Sequence, residues 1–356
     1  MKGLVIIPSI RILQYWKDYE KNAQDNHFNL KDVEVLIIDE TDKYREVNDK
    51  ILENINHSFF GFEERNKWLN ERELSLDIIP QKCHAETSFG LLYAYDKNKY
   101  DYIIFIDDDT KPTKDNYFGG HLNQLFNKNI NFEIQPNGRK WNDLIPLSLY
   151  FSRGFPYSER QSLYPQEYEK IKTDVVINQG LWCNQLDLNA TDILPNLNGL
   201  TKPIRYEAYE SPYNVISPFG NFITVCSMNL SFKPEIISVF YQLPMNEFGI
   251  DRFDDIWSGI IIKKISDHLG KYISSGRPIC EHIKEPRSTF KDLEAEAKGL
   301  GVNEELWKII DNIELEDNNY RDCYQQIAFD IRDKSSYRTF LGEKMGQWID
   351  VIDRLE

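Results

Sequence analysis

Three consecutive carboxylates, Asp107, Asp108 and Asp109, follow directly on the apolar run IIFI at 103–106. Two unit charges about 4 Å apart repel by roughly 4 kcal/mol at an effective dielectric near 20. Something must therefore offset the charge at the end of what reads as a buried strand, and three readings compete. In the first, carboxylates two apart, Asp107 and Asp109, reach one hard divalent cation, which takes oxygen ligands and bridges to the phosphates of a nucleotide-sugar diphosphate. The second is a phosphatase of the haloacid-dehalogenase type, with strand–D-x-D-x-T/V as its nucleophile motif. Thr110 falls one place early for that, Lys111 holds the required position, and the motif lies well inside the chain rather than opening it. The third is a solvated acidic turn in which Asp107 or Asp109 caps a following helix.

The elements around the triplet narrow its setting. The apolar run at 4–7 is closed by Pro8, and VEVLII at 33–38 is closed by Asp39, with a helix-length segment carrying Leu13, Tyr15, Trp16 and Tyr19 between them. This predicts strand–helix–strand, the opening of a parallel α/β sheet. Residues 86–98 read as a further helix and 102–106 as the next strand. Near-continuous hydrophobic strands imply burial on both faces. Ligands of open α/β sheets bind beyond the carboxyl ends of strands, where Asp39 and the triplet both fall. The middle of the chain, about 111–250, is rich in Pro, Asn and Tyr, with weak periodicity and short strands expected. Residues 253–269 read as a helix that begins at Asp254 and Asp255, either of which is a candidate cap. Near the end, Tyr320, Tyr324, Ile327 and Ile331 form one helical stripe, and Leu341, Met345, Trp348, Ile352 and Leu355 another. The expectation is a helical hairpin packed on the main domain or on another subunit.

The composition bounds the function classes. The 356 residues carry 41% hydrophobic and 13% aromatic side chains, as a folded chain does. A net charge of −15 without any polybasic run argues against nucleic acid and anionic membrane as partners. No apolar stretch is long enough to span a bilayer, and the N-terminal run is too short for a signal peptide. Five widely spaced cysteines with no CxxC pair suggest free thiols in a reducing compartment, so the expected location is cytoplasmic. The sequons at Asn189 and Asn229 would then meet no glycosylation machinery.

Several further motifs occur in a fixed order: IPSIR (7–11), SRGFPYSER (152–160), GLWCNQLDLNA (180–190), CSMNLSF (226–232), DRFDDIWSG (251–259), KKISDHLG (263–270) and GRPICEHIK (276–284), then CYQQIAFDIRDK and MGQWIDVID near the end. With the acidic triplet they resemble the reversibly glycosylated polypeptides, glycosyltransferase family 75, which includes the plant UDP-arabinopyranose mutases. The resemblance covers nearly the whole chain, with insertions around 111–150 and 159–180. It implies an α/β GT-A-like fold: a Rossmann-type, mostly parallel sheet flanked by helices, with a C-terminal helical hairpin. The organisation expected is a nucleotide-sugar-binding catalytic domain at 1–300 and a helical extension at 301–356, the latter offering a route to a homo-oligomer.

The same resemblance assigns roles. Asp107, Asp108 and Asp109 match the family's triplet, with Asp107, Asp109 and His282 as ligands of Mn2+ or Mg2+ and Asp108 beside the nucleotide sugar. Neutral imidazole suits Mn2+. His282 and Lys284 in CEHIK match the family's WHSK, with Lys284 on the diphosphate. Arg160 stands where the family carries the arginine that its own donor glycosylates, but Glu159 replaces a leucine there. A permanently charged arginine serves equally as a diphosphate clamp or as one half of a surface ion pair. Arg153, in the same motif, joins the nucleotide-sugar contacts. Asp254 and Asp255 in RFDDIW match RYDDMW, and as functional groups they would orient hydroxyls, act as base or stabilise positive charge at the anomeric carbon. Ser9, Arg11, Asp39 and Lys82 suit recognition of the nucleotide, whose uracil is inherited from the family. His268 reads as structural. The function expected is a metal-dependent UDP-pyranose/furanose mutase. The alternatives are a glycosyltransferase that moves the sugar to a glycan, lipid or protein acceptor, and a non-catalytic member that assembles with active ones.

Overall fold

The structure is a computed structural model that describes residues 1–134, 140–143, 151–160, 169–194, 205–206, 214–284 and 288–356. The chain opens with β1 (Gly3–Ser9), α1 (Trp16–Asp25), β2 (Val33–Asp39), α2 (Arg45–Ile51), β3 (Asn56–Phe60), α3 (Phe62–Asn70), α4 (Ser88–Lys97) and β4 (Tyr102–Ile106). These strands lie in the order β3-β2-β1-β4, all parallel. Their apolar runs are closed to solvent on both faces, as the unbroken hydrophobic patterns require. Because β1 sits between β2 and β4, the carboxyl ends of all three open on one edge, and Ser9 pairs in register with Asp39. The helix expected over 86–98 is a turn of 3-10 helix at His84–Thr87 running into α4, which stops at Asn98 in the left-handed conformation (φ 41°).

The second half of the sheet comes from short strands: β5 (Thr110–Pro112), then α5 (Tyr117–Phe126), β6 (Phe132–Ile134), β7 (Trp141–Asn142) and β8 (Glu169–Ile171). They are followed by the long β9 (Val175–Asn184), the short α6 (Ala190–Ile193), β10 (Asn214–Ile216), β11 (Phe222–Ile223) and β12 (Asn229–Phe232). Next come α7 (Asp254–His268) and β13 (Tyr272–His282). The sheet continues from β4 as β12-β9-β13-β10-β6-β8, while β7 and β11 form a separate parallel pair. β12 runs antiparallel to both β4 and β9, so it is the seam between the two halves. The long ladders are parallel, and the antiparallel ones are short. The expected α/β architecture, a mostly parallel sheet flanked by helices, is the one found. Of the inserted segments at 111–150 and 159–180, residues 135–139, 144–150 and 161–168 lie outside the described residues.

α7 is buried on nearly every side, which is why Ile256, Trp257, Ile260, Ile261, Ile262 and Ile265 show no single apolar face. Neither Asp254 nor Asp255 caps it: Phe253 is the N-cap, no side-chain cap bond forms, and both aspartates sit in the first turn. Their carboxylates are free for other work. α8 (Thr289–Asp311) runs without a break through residue 300, and α9 (Tyr320–Asp330) and α10 (Ser336–Leu355) form the expected hairpin. Its stripes face this chain's own domain. The Trp348 ring stacks on Tyr241 at 4.7 Å and its Nε1 donates to the Ser238 carbonyl at 3.0 Å. Among the described residues no helix is long and apolar enough to cross a membrane. All five cysteines are free. Asn189 and Asn229, the two sequon asparagines, are fully buried.

Candidate functional site

The turn after β4 meets the end of β13. Residues 110–112 pair antiparallel with 280–282, which places His282 opposite Thr110. The turn itself is fixed by backbone bonds from Asp107 N to Met228 O (3.2 Å), Thr110 N to Asp107 O (3.2 Å) and Ile283 N to Asp109 O (2.8 Å). The Thr110 hydroxyl also donates to the Asp107 carbonyl (2.9 Å) and shares a hydrogen bond with the Tyr19 hydroxyl (2.9 Å). Thr110 is therefore a strut of the turn rather than a phosphatase residue.

A cavity of about 420 Å³ opens beside this turn. Of the residues expected at a site, Asp107, Asp109, Arg153, Asp254, Asp255, His282 and Lys284 line it. Asp109 lies 3.7 Å from the His282 ring and 3.3 Å from the Arg11 guanidinium. Burial alone would raise its pKa, but His282 and Arg11 outweigh burial and hold the carboxyl below its ordinary range. Burial likewise opposes the charge on His282, and Asp109 prevails, so the imidazole is raised. Asp108 turns the other way. It accepts from the Ser9 hydroxyl and the Ile10 amide, both at 3.1 Å, with Arg11 Nε at 3.4 Å. Its burial outweighs these partners and pushes its pKa up to about 6.

His84, not singled out in the sequence, faces the turn across the cavity. Its Nδ1 is 2.9 Å from Asp254 Oδ2, and its Nε2 lies 3.8 Å from Asp107 Oδ1 and 3.4 Å from the Ser227 hydroxyl. Burial opposes its charge, but the two carboxylates win and its pKa is raised well above the ordinary value. The neighbouring aspartates are thereby pushed apart. Burial raises both, yet His84 holds Asp254 below its usual range, whereas burial and the Asp254 charge keep Asp255 above it despite Arg153. Two adjacent carboxyl groups with opposite shifts are the arrangement from which distinct acid and base roles are drawn.

Arg153 lies beneath Asp255 and its donors are engaged within the protein. Nε donates to Asp187 (2.7 Å), and its two terminal nitrogens reach Asp255 (3.1 and 3.3 Å) and the Arg252 carbonyl. Arg252, in the left-handed conformation (φ 66°), ion-pairs with Glu296 (2.6 Å) and with Asp187 (3.4 Å). Lys284 lies 3.6 Å from Asp292. Asp187, Arg252 and Ser227 were missed in the sequence because each falls inside a motif whose other residues drew attention, and Glu296 because it is one of several charges along α8 with no motif around it. His84 precedes a helix and carries no spacing signal of its own.

The remaining expected residues lie outside the cavity wall. Ser9 and Arg11 touch the triplet from the end of β1. Asp39 is buried at the end of β2: one oxygen accepts from the Thr41 and Asp42 amides (3.0 and 2.9 Å), while Oδ2 has no hydrogen-bond partner. Lys82 is exposed and does not line the cavity. Arg160 stands apart, bidentate with Asp192 (2.7 and 2.9 Å) and packed over the Tyr157 ring at 3.8 Å. His268 bonds the Asp317 carbonyl (2.7 Å) at the end of α7, away from the site.

The donor set fits a hard divalent ion. Asp107 Oδ1 is buried with no hydrogen-bond partner, and Asp109 with His282 adds a carboxylate and an imidazole. Among the described residues no three His, Cys, Asp or Glu side chains cluster closely enough to hold a metal by themselves. An ion of the Mg2+ or Mn2+ kind is commonly bound by one or two carboxylates and completed by substrate phosphates and water.

Comparison with known proteins gives a consistent picture across the chain. The family model described as reversibly glycosylated polypeptide matches residues 9–356. The chain is 26% identical to a probable UDP-arabinopyranose mutase 2 of Solanum tuberosum, covering 99% of this chain and 90% of that one. It is 25% identical to UDP-arabinopyranose mutase 1 of Arabidopsis thaliana, covering 99% and 92%. Among solved structures it overlaps glucosyl-3-phosphoglycerate synthase of Mycobacterium tuberculosis at a TM-score of 0.45 and 12% identity, over 86% of this chain and 80% of that one. The chain belongs to the reversibly glycosylated polypeptide family.

Proposed function

We propose that the chain is a divalent-metal-dependent enzyme of UDP-sugars, acting as a UDP-pyranose/furanose mutase in the cytoplasm. One observation carries this reading: a single cavity gathers the aspartate turn, His282, Lys284 and the oppositely shifted Asp254 and Asp255. The names of the relatives supply the substrate class. Asp107, Asp109 and His282 would hold Mn2+ or Mg2+, which when bound supplies Lewis-acid stabilisation to the departing diphosphate. Ser9, Arg11 and Asp39 would border the uridine and phosphate side, where the unpartnered Asp39 Oδ2 supports a role accepting from a base or ribose donor. Lys284 offers its ammonium to a diphosphate oxygen. Asp254, kept ionised by His84, faces the sugar and stabilises positive charge at the anomeric carbon as its bond to UDP breaks. Asp255, braced by Arg153, orients hydroxyls. Arg160, clasped by Asp192, takes no step. All of these residues fall within 1–300, which the reading treats as the catalytic domain.

The test is incubation of the protein with UDP-arabinopyranose and Mn2+, followed by chromatographic separation of the sugar nucleotides. A furanose product is expected. Absence of furanose from every UDP-pentose and UDP-hexose tried would overturn the mutase assignment. Label recovered in a glycan, lipid or protein acceptor would replace it with a transferase.

A further inference from the structure

We infer that Arg11 is a resident counter-cation of the aspartate turn, and that a divalent ion competes with it for Asp109 Oδ2, the oxygen that its guanidinium contacts. The inference rests on the metal site proposed above and concerns the order in which that site fills. The three carboxylates need an offsetting charge, and in this structure the charge in direct contact with both Asp108 and Asp109 is one guanidinium, at 3.4 and 3.3 Å. A guanidinium stays charged at every accessible pH, so the pairing does not switch off by deprotonation.

The geometry confines the exchange to side chains. The backbone of the turn is tied to Met228, to Ile283 and across its own residues. The loop carrying Arg11 is equally anchored: the Asn48 amide donates to the Arg11 carbonyl (3.1 Å), and its oxygen accepts from Leu13 N (2.9 Å). Asp108 keeps Ser9 and Ile10 as partners when Arg11 leaves, whereas Asp109 keeps only His282, a partner it would share with the ion. The Arg11 side chain is 29% exposed, so its guanidinium meets solvent as well as the two carboxylates. A nucleoside diphosphate offers anionic oxygens to both cations at once. It therefore relieves the competition, so metal and nucleotide bind cooperatively and the ion alone binds poorly.

The test measures Mn2+ binding without nucleotide, by electron paramagnetic resonance, on wild type, Arg11→Met and Arg11→Lys. Removing one positive charge a few ångströms from the ion, discounted for partial exposure, should tighten Mn2+ binding by roughly five- to tenfold in Arg11→Met. Arg11→Lys should stay within about twofold of wild type on the same electrostatic grounds. With UDP present the order should reverse, Arg11→Met binding the nucleotide more weakly than wild type. Arg11→Gln serves in the same way if the methionine variant fails to fold. Unchanged Mn2+ affinity in the uncharged variants, or absence of Mn2+ binding by all of them, overturns the inference. The titration uses no sugar nucleotide, so the two proposals fail separately. Tighter Mn2+ binding by Arg11→Met with no UDP-sugar turnover would sink the mutase reading alone. Wild-type turnover with unchanged metal affinity would sink this one alone.

Discussion

Asp109 and Asp254 carry the most specific expectations at the scale of single residues. Asp109 is the carboxylate that His282 and Arg11 both approach, so Asp109→Ala should abolish the Mn2+ dependence of UDP-sugar binding. Calorimetry with and without Mn2+ checks this, and equal metal-dependent affinity in the variant would remove Asp109 from the metal site. Asp254 stays ionised through its contact with His84, and in the proposed reaction its charge would be called on only as the sugar bond breaks. Asp254→Asn keeps the shape and removes the charge, so kcat should fall by about 10²- to 10⁴-fold while KM changes little. A rise in KM at constant kcat would make Asp254 a binding residue instead. The acidic triplet was legible because three charges after an apolar strand are unusual in themselves. His84 was not: a lone histidine before a helix acquires meaning only when the fold brings Asp107 and Asp254 to either side of it. Arg153 shows the opposite limit, since its motif is plain in the sequence but the carboxylates that occupy its fork come from distant segments.

Elements were legible wherever a hydrophobic period was long. The runs that became β1, β2 and β4 could only be strands buried on both faces, and the stripes of α9 and α10 marked their hairpin. α7 was placed correctly, although burial on all sides erased its amphipathic period. The short strands between 110 and 223 escaped residue-level reading because two or three residues carry no period and their pairing is decided by partners far along the chain. α7 also bears on the site, because its first turn presents Asp254 and Asp255. Gly259, in its second turn, packs against Val225: a Cβ added there would sit 2.5 Å from the Val225 Cβ. Overpacking of this kind costs about 1–3 kcal/mol. Gly259→Ala should therefore lower the melting temperature by several degrees, and by pushing α7 off the segment at Val225, just beyond β11, it should also reduce turnover. Thermal unfolding monitored by circular dichroism checks the first part. An unchanged melting temperature would mean the helix accommodates the methyl group without strain.

For the whole molecule, the decisive junction is the seam at β12, where the parallel half built from β1 to β4 meets the half that carries β9 and β13. His121, fully buried on α5, pins that seam. Its Nε2 is 2.9 Å from Asn229 Oδ1 on β12, and Asn178 on β9 approaches its Nδ1 at 3.2 Å. The Asn229 amide in turn donates to the Leu181 and Pro278 carbonyls (2.8 and 3.0 Å), reaching β9 and β13. Burial without any carboxylate nearby pushes the His121 pKa down to about 3, against 6.5 for an unperturbed histidine. A depressed folded-state pKa means the unfolded chain binds the proton first. The stability His121 contributes is therefore fully present above pH 6.5 and drains away as the pH falls toward 3. At pH 5 the loss should be about 2 kcal/mol. His84 and His282, whose pKa values are raised, work in the opposite sense: their contributions are complete below pH 6.5 and fade as the pH rises. The two kinds of histidine thus occupy separate pH windows. His121→Asn removes the titration and also costs hydrogen bonds, so the variant should be less stable than wild type at pH 7. Denaturant unfolding at pH 7, 6 and 5 should then show the gap between wild type and variant shrinking by about 2 kcal/mol. A gap that stays constant over that range would mean the fold leaves the His121 pKa unshifted, and one that widens as the pH falls would mean His121 is protonated in the folded seam. The two halves of the sheet would then be joined around a buried charge rather than a neutral ring.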